Sequence, residues 1–207
     1  MDGLVFTGGE GPNAKFCAEL AASSGLIVAC DSGLALAENS GVYPDWIVGD
    51  MDSLDYPSRL DKYAPDRVLR FSAHKDFTDT ELALNLLWEK GCDNIAIAGG
   101  GGGRLDHLLA MSALFERDRA PSRWFTAREK AFSVSSAFFC SAKKGALVSV
   151  FPLENGPWKA KSSGLKWPLD RVVWKRGIFS ISNVAETGSF EIQALSGRFL
   201  VVMPESR

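Results

Sequence analysis

Apolar residues follow two different rhythms along this chain, and the rhythm changes near residue 120. In the first part, short continuous apolar runs recur at Leu4-Val5-Phe6, Leu26-Ile27-Val28-Ala29-Cys30, Trp46-Ile47-Val48, Val68-Leu69-Arg70-Phe71 and Ile95-Ala96-Ile97-Ala98. Between them, residues 12–23, 33–40, 79–90 and 106–117 carry helical spacing, and a short helix is expected near 57–62. Near-continuous apolar strands joined by helices predict an α/β domain: a mostly parallel sheet with helices on both faces. From residue 131 on, short runs dominate instead: Phe132 to Cys140, Ala146 to Phe151, Trp158 to Lys166, Phe190 to Leu195 and Phe199 to Met203. Lys144-Gly145, Asn155-Gly156, Gly188 and Ser196-Gly197 punctuate them, which predicts a small all-β sandwich or barrel. The charged stretch Arg117-Asp118-Arg119 and Pro121 mark the change, while Trp124-Phe125-Thr126 still reads as a strand of the first sheet. The expected division is therefore an α/β domain over 1–128 and a C-terminal β-sandwich domain over 129–207.

Composition narrows the partners. The 207 residues are 46% hydrophobic and 23% charged, ordinary values for a globular protein. A net charge of −2 with no basic block gives no electrostatic footprint for nucleic acid or an anionic membrane. Cys17, Cys30, Cys92 and Cys140 are scattered and form no Cys-x-x-Cys pair, so reduced thiols and a cytoplasmic location are expected. No cation-led apolar leader opens the chain, and no run reaches the ~18 apolar residues of a membrane span.

The unusual chemistry falls where strands are expected to end, the edge at which parallel sheets bind ligands. Gly49-Asp50-Met51-Asp52 places two carboxylates at i and i+2 just after a buried strand. Hard oxygen donors so close together suit a Mg²⁺ ion that keeps several waters and is shared with phosphates; alone, they also suit a solvated acidic turn. Lys75-Asp76-Phe77-Thr78-Asp79 adds two more carboxylates and a cation in one turn. Thr78 and Glu81 also fit a capping box opening the next helix. Gly99 to Gly103, followed by Arg104-Leu105-Asp106-His107, offers backbone N–H groups and a helix N-terminus to an anion. There Arg104 can fork onto a phosphate and Asp106 is expected as the N-cap, with His107 open to a phosphate, hydroxyl or structural role. Gly9-Glu10-Gly11-Pro12-Asn13-Ala14 matches a dinucleotide fingerprint only nominally, since Pro12 and Asn13 suit its tight turn poorly. No Walker A sequence is present, and no Gly-x-Ser-x-Gly elbow accompanies the two histidines, His74 and His107.

Taken in order, Cys30-Asp31-Ser32-Gly33, Gly49-Asp50-Met51-Asp52-Ser53, Lys75-Asp76-Phe77-Thr78-Asp79 and Gly99-Gly100-Gly101-Gly102-Gly103-Arg104-Leu105-Asp106-His107 resemble the motifs of the thiamin pyrophosphokinase family. Ser163-Gly164-Leu165-Lys166-Trp167-Pro168-Leu169 and Ser182-Asn183 resemble its C-terminal motifs. The resemblance implies an N-terminal α/β catalytic domain, a C-terminal β-sandwich, a homodimer with thiamin bound between subunits, and transfer of a pyrophosphoryl group from ATP to the hydroxyethyl oxygen of thiamin, releasing AMP. It implies Mg²⁺ on Asp50, Asp52, Asp76 and Asp79. ATP would meet Lys75, Thr78, Gly101, Gly102, Gly103, Arg104, Asp106 and His107. Thiamin would meet Asp31, Ser182, Asn183 and Trp167, and Asp31 and Arg104 would join the four aspartates in catalysis. The chain departs from the family pattern at Ser32, where a glycine is usual, and at Val184-Ala185, where some relatives carry an aromatic residue. Two other functions fit the same residues: pyrophosphoryl transfer to another alcohol such as a hydroxymethyl pterin, and a non-catalytic nucleotide- or metal-binding module.

Overall fold

The computed structural model describes residues 1–51, 57–72 and 76–205. They form two compact units: residues 1–114 with 123–127, and residues 115–122 with 128–207.

The first unit is built on six parallel strands: β1 (Asp2–Phe6), β2 (Leu26–Cys30), β3 (Trp46–Gly49), β4 (Val68–Arg70), β5 (Asn94–Ala98) and β6 (Arg123–Phe125). Their spatial order is β6-β5-β1-β2-β3-β4, and every neighbouring pair is parallel. The chain walks outward from β1 to β4 and then crosses back to lay β5 on the other side of β1. The sheet's order therefore reverses at β1, and ligands bind beyond the carboxyl ends at such a reversal. Helices α1 (Ala14–Ala22), α2 (Gly33–Asn39), α3 (Asp79–Glu89) and α4 (Leu105–Ala113) connect the strands. Period-2 alternation sorts the strand side chains into two faces. Val5, Val28, Cys30, Val48, Ile95 and Ile97 pack with Ala83, Leu84 and Leu87 of α3 and with Met111 of α4. Helix α2 instead packs on β1 and β2 through the other face, where Leu4, Phe6 and Ala29 are fully buried.

Local chemistry sets the helix starts. Asn13 caps α1 by accepting the Phe16 N–H at 3.0 Å. The capping box predicted for α3 is present: Glu81 Oε2 accepts the Thr78 N–H at 2.7 Å, and Thr78 Oγ1 accepts the Glu81 N–H at 3.3 Å. Helix α4 begins differently from expectation. Its N-cap residue is Arg104, and Asp106 lies inside the first turn with Oδ1 accepting the His107 N–H at 3.1 Å.

The second unit is the expected sandwich of two antiparallel sheets. One runs β11 (Ser180–Val184), β9 (Leu147–Leu153), β13 (Arg198–Pro204), β7 (Glu129–Val134); the other runs β10 (Lys159–Ser163), β12 (Ser189–Ser196), β8 (Ala137–Ser141). Val148, Val150, Phe190, Ile192, Phe199 and Val201 fill the space between them. The single run expected from Phe132 to Cys140 is two strands broken at residues 135–136, and β11 lies in a stretch too polar to stand out by apolar pattern. Arg198 explains why residues 115–122 belong here: its guanidinium donates to the carbonyls of Phe115 at 2.9 Å and Arg117 at 2.5 Å.

Candidate active site

Four loops leave the carboxyl ends of β1, β2, β3 and β5 in the first unit, and α3 begins among them. Asp31 follows β2 directly and adopts φ 46°, a left-handed conformation that side-chain-bearing residues rarely take. Met51, just past Asp50, is also left-handed at φ 67° and donates its N–H to Asp31 Oδ1 at 3.4 Å. Such backbone conformations cost on the order of 1–3 kcal/mol each and persist where the surroundings enforce them. Gly49 makes the room that Asp31 occupies. A Cβ on Gly49 would lie 1.9 Å from Asp31 Oδ1, so only glycine lets β3 pass this close to the carboxylate.

Asp31, Asp50 and Asp79 act on one another. Burial, a hydrogen bond with the Asp79 carboxyl and the charge of that carboxyl push Asp31 up to about 8, and the charge of Asp50 adds to the rise. Two carboxyls can hydrogen-bond only if one of them holds a proton. A cation brought to this point would replace that proton. Among the described residues, no three carboxylate, imidazole or thiol groups form a cluster able to hold an ion by themselves. The donor set nonetheless fits Mg²⁺, which takes one or two carboxylates and completes its octahedron with water and phosphate oxygens. Asp52 and Lys75, both expected at the site, lie outside the described residues. Asp76 is exposed on the turn before α3. The Thr78 hydroxyl is committed to the capping box.

The glycine loop is more specialised than five open N–H groups. Gly99 donates to Phe125 O at 3.0 Å, Gly100 to Gly8 O at 2.7 Å and Gly101 to Glu10 O at 3.1 Å. Among the described residues, only the N–H groups of Gly102 and Gly103 lack a backbone acceptor at this loop. Both glycines are left-handed, at φ 66° and 69°, and form a tight turn of residues that carry no side chain of their own. Glu10, not among the expected site residues, lies against this turn: a Cβ on Gly102 would be 2.6 Å from its carboxyl carbon. The flanking Gly9 and Gly11, read as a poor dinucleotide fingerprint, were the signal for it. Arg104 is exposed and forks onto Asp106, Nε to Oδ1 at 3.1 Å and a terminal nitrogen to Oδ2 at 2.5 Å. That fork holds the Asp106 carboxyl below its ordinary range. His107 is exposed beside them. Ser32, the departure from the family pattern, is accommodated by Gly8, since a Cβ on Gly8 would meet Ser32 Oγ at 2.2 Å.

Residues 17–122 match the family model described as the thiamin pyrophosphokinase catalytic domain, over half of the chain. The chain belongs to the thiamin pyrophosphokinase family. Residues 140–197 match the family's vitamin B1 binding domain. A thiamine pyrophosphokinase of Bacillus subtilis is 38% identical over 86 residues, a stretch covering 41% of this chain and 40% of that protein. Among solved structures, a thiamine pyrophosphokinase from Bacillus subtilis aligns over 100% of both chains with TM-score 0.82 and 21% identity. That of Geobacillus thermodenitrificans aligns over 100% of this chain and 98% of its own, with TM-score 0.76 and 22% identity. The enzyme of Candida albicans covers 99% and 90%, with TM-score 0.76 and 16% identity. At these identities the structural likeness speaks to the fold, an α/β unit with a β-sandwich.

The vitamin B1 binding match covers the second unit's candidate residues. Asn183 is 1% exposed and clamps a neighbouring segment. Its Oδ1 accepts the N–H groups of Trp167 at 3.1 Å and Val184 at 2.8 Å, while its Nδ2 donates to Trp167 O at 2.7 Å. Trp167 is thereby fixed with 53% of its surface exposed and the Lys166 ammonium 4.8 Å from its ring centre. Ser182 is exposed and left-handed at φ 56°, inside a β-bulge that breaks the β11–β9 register. Asn183, expected to touch thiamin, has its side-chain amide hydrogen-bonded to the backbone of Trp167 and Val184.

Proposed function

We propose that this protein is a thiamin pyrophosphokinase that moves the β,γ-pyrophosphoryl group of ATP to the hydroxyl of thiamin and releases AMP. The carrying observation is the convergence of Asp31, Asp50 and Asp79 at the carboxyl-end loops of the parallel sheet, in a chain whose second unit matches a vitamin B1 binding domain. The thiamin hydroxyl oxygen attacks the β-phosphorus, the bond from that phosphorus to the α,β-bridging oxygen breaks, and the electron pair leaves on AMP. Phosphoryl chemistry of this kind is catalysed mainly by positioning and charge neutralisation, without a covalent protein nucleophile. Asp50 and Asp79, with Asp52 and Asp76, are the residues that would hold Mg²⁺, which supplies neutralisation of the phosphate oxygens. Asp31 is left to orient the acceptor hydroxyl and to take up its proton once a cation has displaced the proton it shares with Asp79. The N–H groups of Gly102 and Gly103, with Arg104, Lys75 and His107, cradle the phosphates. Arg104 would trade its Asp106 fork for phosphate oxygens. On the acceptor side, Trp167 offers an exposed, fixed ring to the cationic thiazolium of thiamin, and Ser182 an exposed hydroxyl.

A homodimer is part of the reading. In the first unit, Leu105 and Leu109 project from α4 with 69% and 62% exposure, and in the second, Ile178, Phe179 and Ile181 are exposed at β11. Apolar surface of this kind favours burial against a second copy. The deciding experiment is incubation with ATP, Mg²⁺ and thiamin. AMP and thiamin diphosphate in equal amounts are expected. ADP in place of AMP refutes pyrophosphoryl transfer. AMP formed with a hydroxymethyl pterin, and none with thiamin, moves the assignment to another acceptor. Asp50→Asn should abolish turnover with the fold intact, and near-normal turnover in excess Mg²⁺ would remove Asp50 from the site.

A further inference from the structure

Directly beneath Asp31 and Asp79 lies a polar layer for which the reaction has no direct use. Thr7 follows β1, Cys30 ends β2, and Thr80 stands in the first turn of α3; they are 8%, 1% and 8% exposed. The hydroxyls of Thr7 and Thr80 are 2.8 Å apart across 73 residues of sequence. Cys30 donates its thiol to Phe6 O at 3.4 Å and lies 3.8 Å from Thr80 Oγ1. Burial pushes that thiol up to about 12, so it stays a neutral donor. Thr7 is itself fixed on its other side. Its N–H donates to Ala98 O at 2.9 Å, and its carbonyl lies so near Gly99 that a Cβ there would be 2.1 Å away.

Each member of this layer is the chain neighbour of a site element. Cys30 carries Asp31, Thr80 carries Asp79, and Thr7 abuts the start of the glycine loop. Around them the core is apolar. Valine would fill the volume of either threonine, so packing alone does not ask for hydroxyls here. Buried hydroxyls are tolerated only when paired, and a pair in low dielectric fixes geometry tightly. We propose that Thr80, tied to Thr7 and Cys30, is a positioning residue that sets the separation of the Asp31 and Asp79 carboxyls. Its role is to fix where the α3 N-terminus stands over the strand tips. The inference rests on the pyrophosphokinase reading for what those carboxyls do, although the geometry it concerns is independent of the acceptor.

Three variants test it, with Mn²⁺ as the probe and a non-hydrolysable ATP analogue present. Free Mn²⁺ is read by electron paramagnetic resonance, alongside Tm and AMP formation. Thr80→Val removes the closest partner of the Thr7 hydroxyl, leaving it the weak Cys30 thiol, and should lower Tm by a few degrees. It should also raise the Mn²⁺ half-saturation about 10-fold, the lower end of what loss of an outer-shell partner costs. Thr80→Ser keeps the hydroxyl and should recover most of both. The decisive variant is Thr7→Val with Thr80→Val. Removing both partners should restore Tm toward wild type while Mn²⁺ binding and AMP formation stay impaired. Wild-type Mn²⁺ half-saturation in that double variant would overturn the positioning role, as would impaired binding in Thr80→Ser equal to that in Thr80→Val. Should the wild type bind Mn²⁺ with the analogue yet form no AMP, the pyrophosphokinase reading fails, and the Mn²⁺ data still decide the positioning role.

Discussion

Replacing Gly49 by alanine should damage catalysis far more than stability, and the structure sets both magnitudes. Gly49 has φ 148°, a region open in practice only to glycine, so alanine costs about 1–3 kcal/mol in backbone strain. In a chain of this length 1 kcal/mol shifts Tm by about 2–4 °C, giving a loss of about 2–12 °C. The new Cβ would lie 1.9 Å from Asp31 Oδ1, where about 3.0 Å is the closest approach seen in practice. Relief by carboxylate movement alone therefore requires Asp31 to retreat by roughly 1 Å, breaking its contact with the Met51 N–H, and a displacement of that size can lower turnover about 10²-fold. Gly41→Ala is the matched control. Gly41 is left-handed at φ 70° but a Cβ there meets nothing within 4 Å, so it should lose Tm and keep its turnover. The assay is AMP release at saturating ATP and thiamin, with Tm by calorimetry. Equal turnover in the two variants would refute the claim that Gly49 exists to admit Asp31.

The remaining predictions concern separate parts of the chain. Thr78→Ala removes the α3 capping box and should cost about 1 kcal/mol, read as a Tm loss of about 2–4 °C. The Asp31 carboxyl is held above its unfolded value of 3.8, near 8, so its contribution is fully present below pH 4 and lost as pH rises toward 8. Metal-free protein in chelator should thus lose Tm over that window, and Asp31→Asn should flatten that part of the profile. Asn183→Ala leaves the Trp167 N–H and carbonyl without their partner, which should cost about 1–3 kcal/mol and raise the KM for thiamin but not for ATP. Trp167→Ala, at a ring already 53% exposed, should raise the same KM with little change in Tm.

What could be read from the sequence was set by how local its cause is. Strands β1, β2, β3 and β5 are legible because each carries a continuous apolar run, and the α3 start because Thr78 and Glu81 are three residues apart. Strand β11 was hidden because Ser180-Ile181-Ser182-Asn183-Val184 alternates weakly and its pairing with β9 slips at a bulge. The turn at Ser135-Ser136 was masked by apolar residues on both sides. In the candidate site, Asp50 and the glycine loop stand out by residue type, while Asp52 lies outside the described residues. The contact of Gly49 with Asp31 spans 18 positions, and the Thr7–Thr80 bond spans 73. Neither leaves a mark in local spacing. The glycine loop misled in part, since three of its N–H groups serve the fold and residue type cannot say which.

Arg198 gathers the segment 115–122 into the sandwich, while residues 123–127 return to supply β6 to the parallel sheet. The polypeptide thus changes units three times, and no single cut separates them. A fragment ending at residue 114 would leave β5 with an uncovered edge, a template for aggregation. One ending at residue 127 would carry Phe115, fully buried in the intact protein, away from its Arg198 partner. Any transplant of the second unit would have to carry 115–122 together with 128–207 while leaving β6 between them behind.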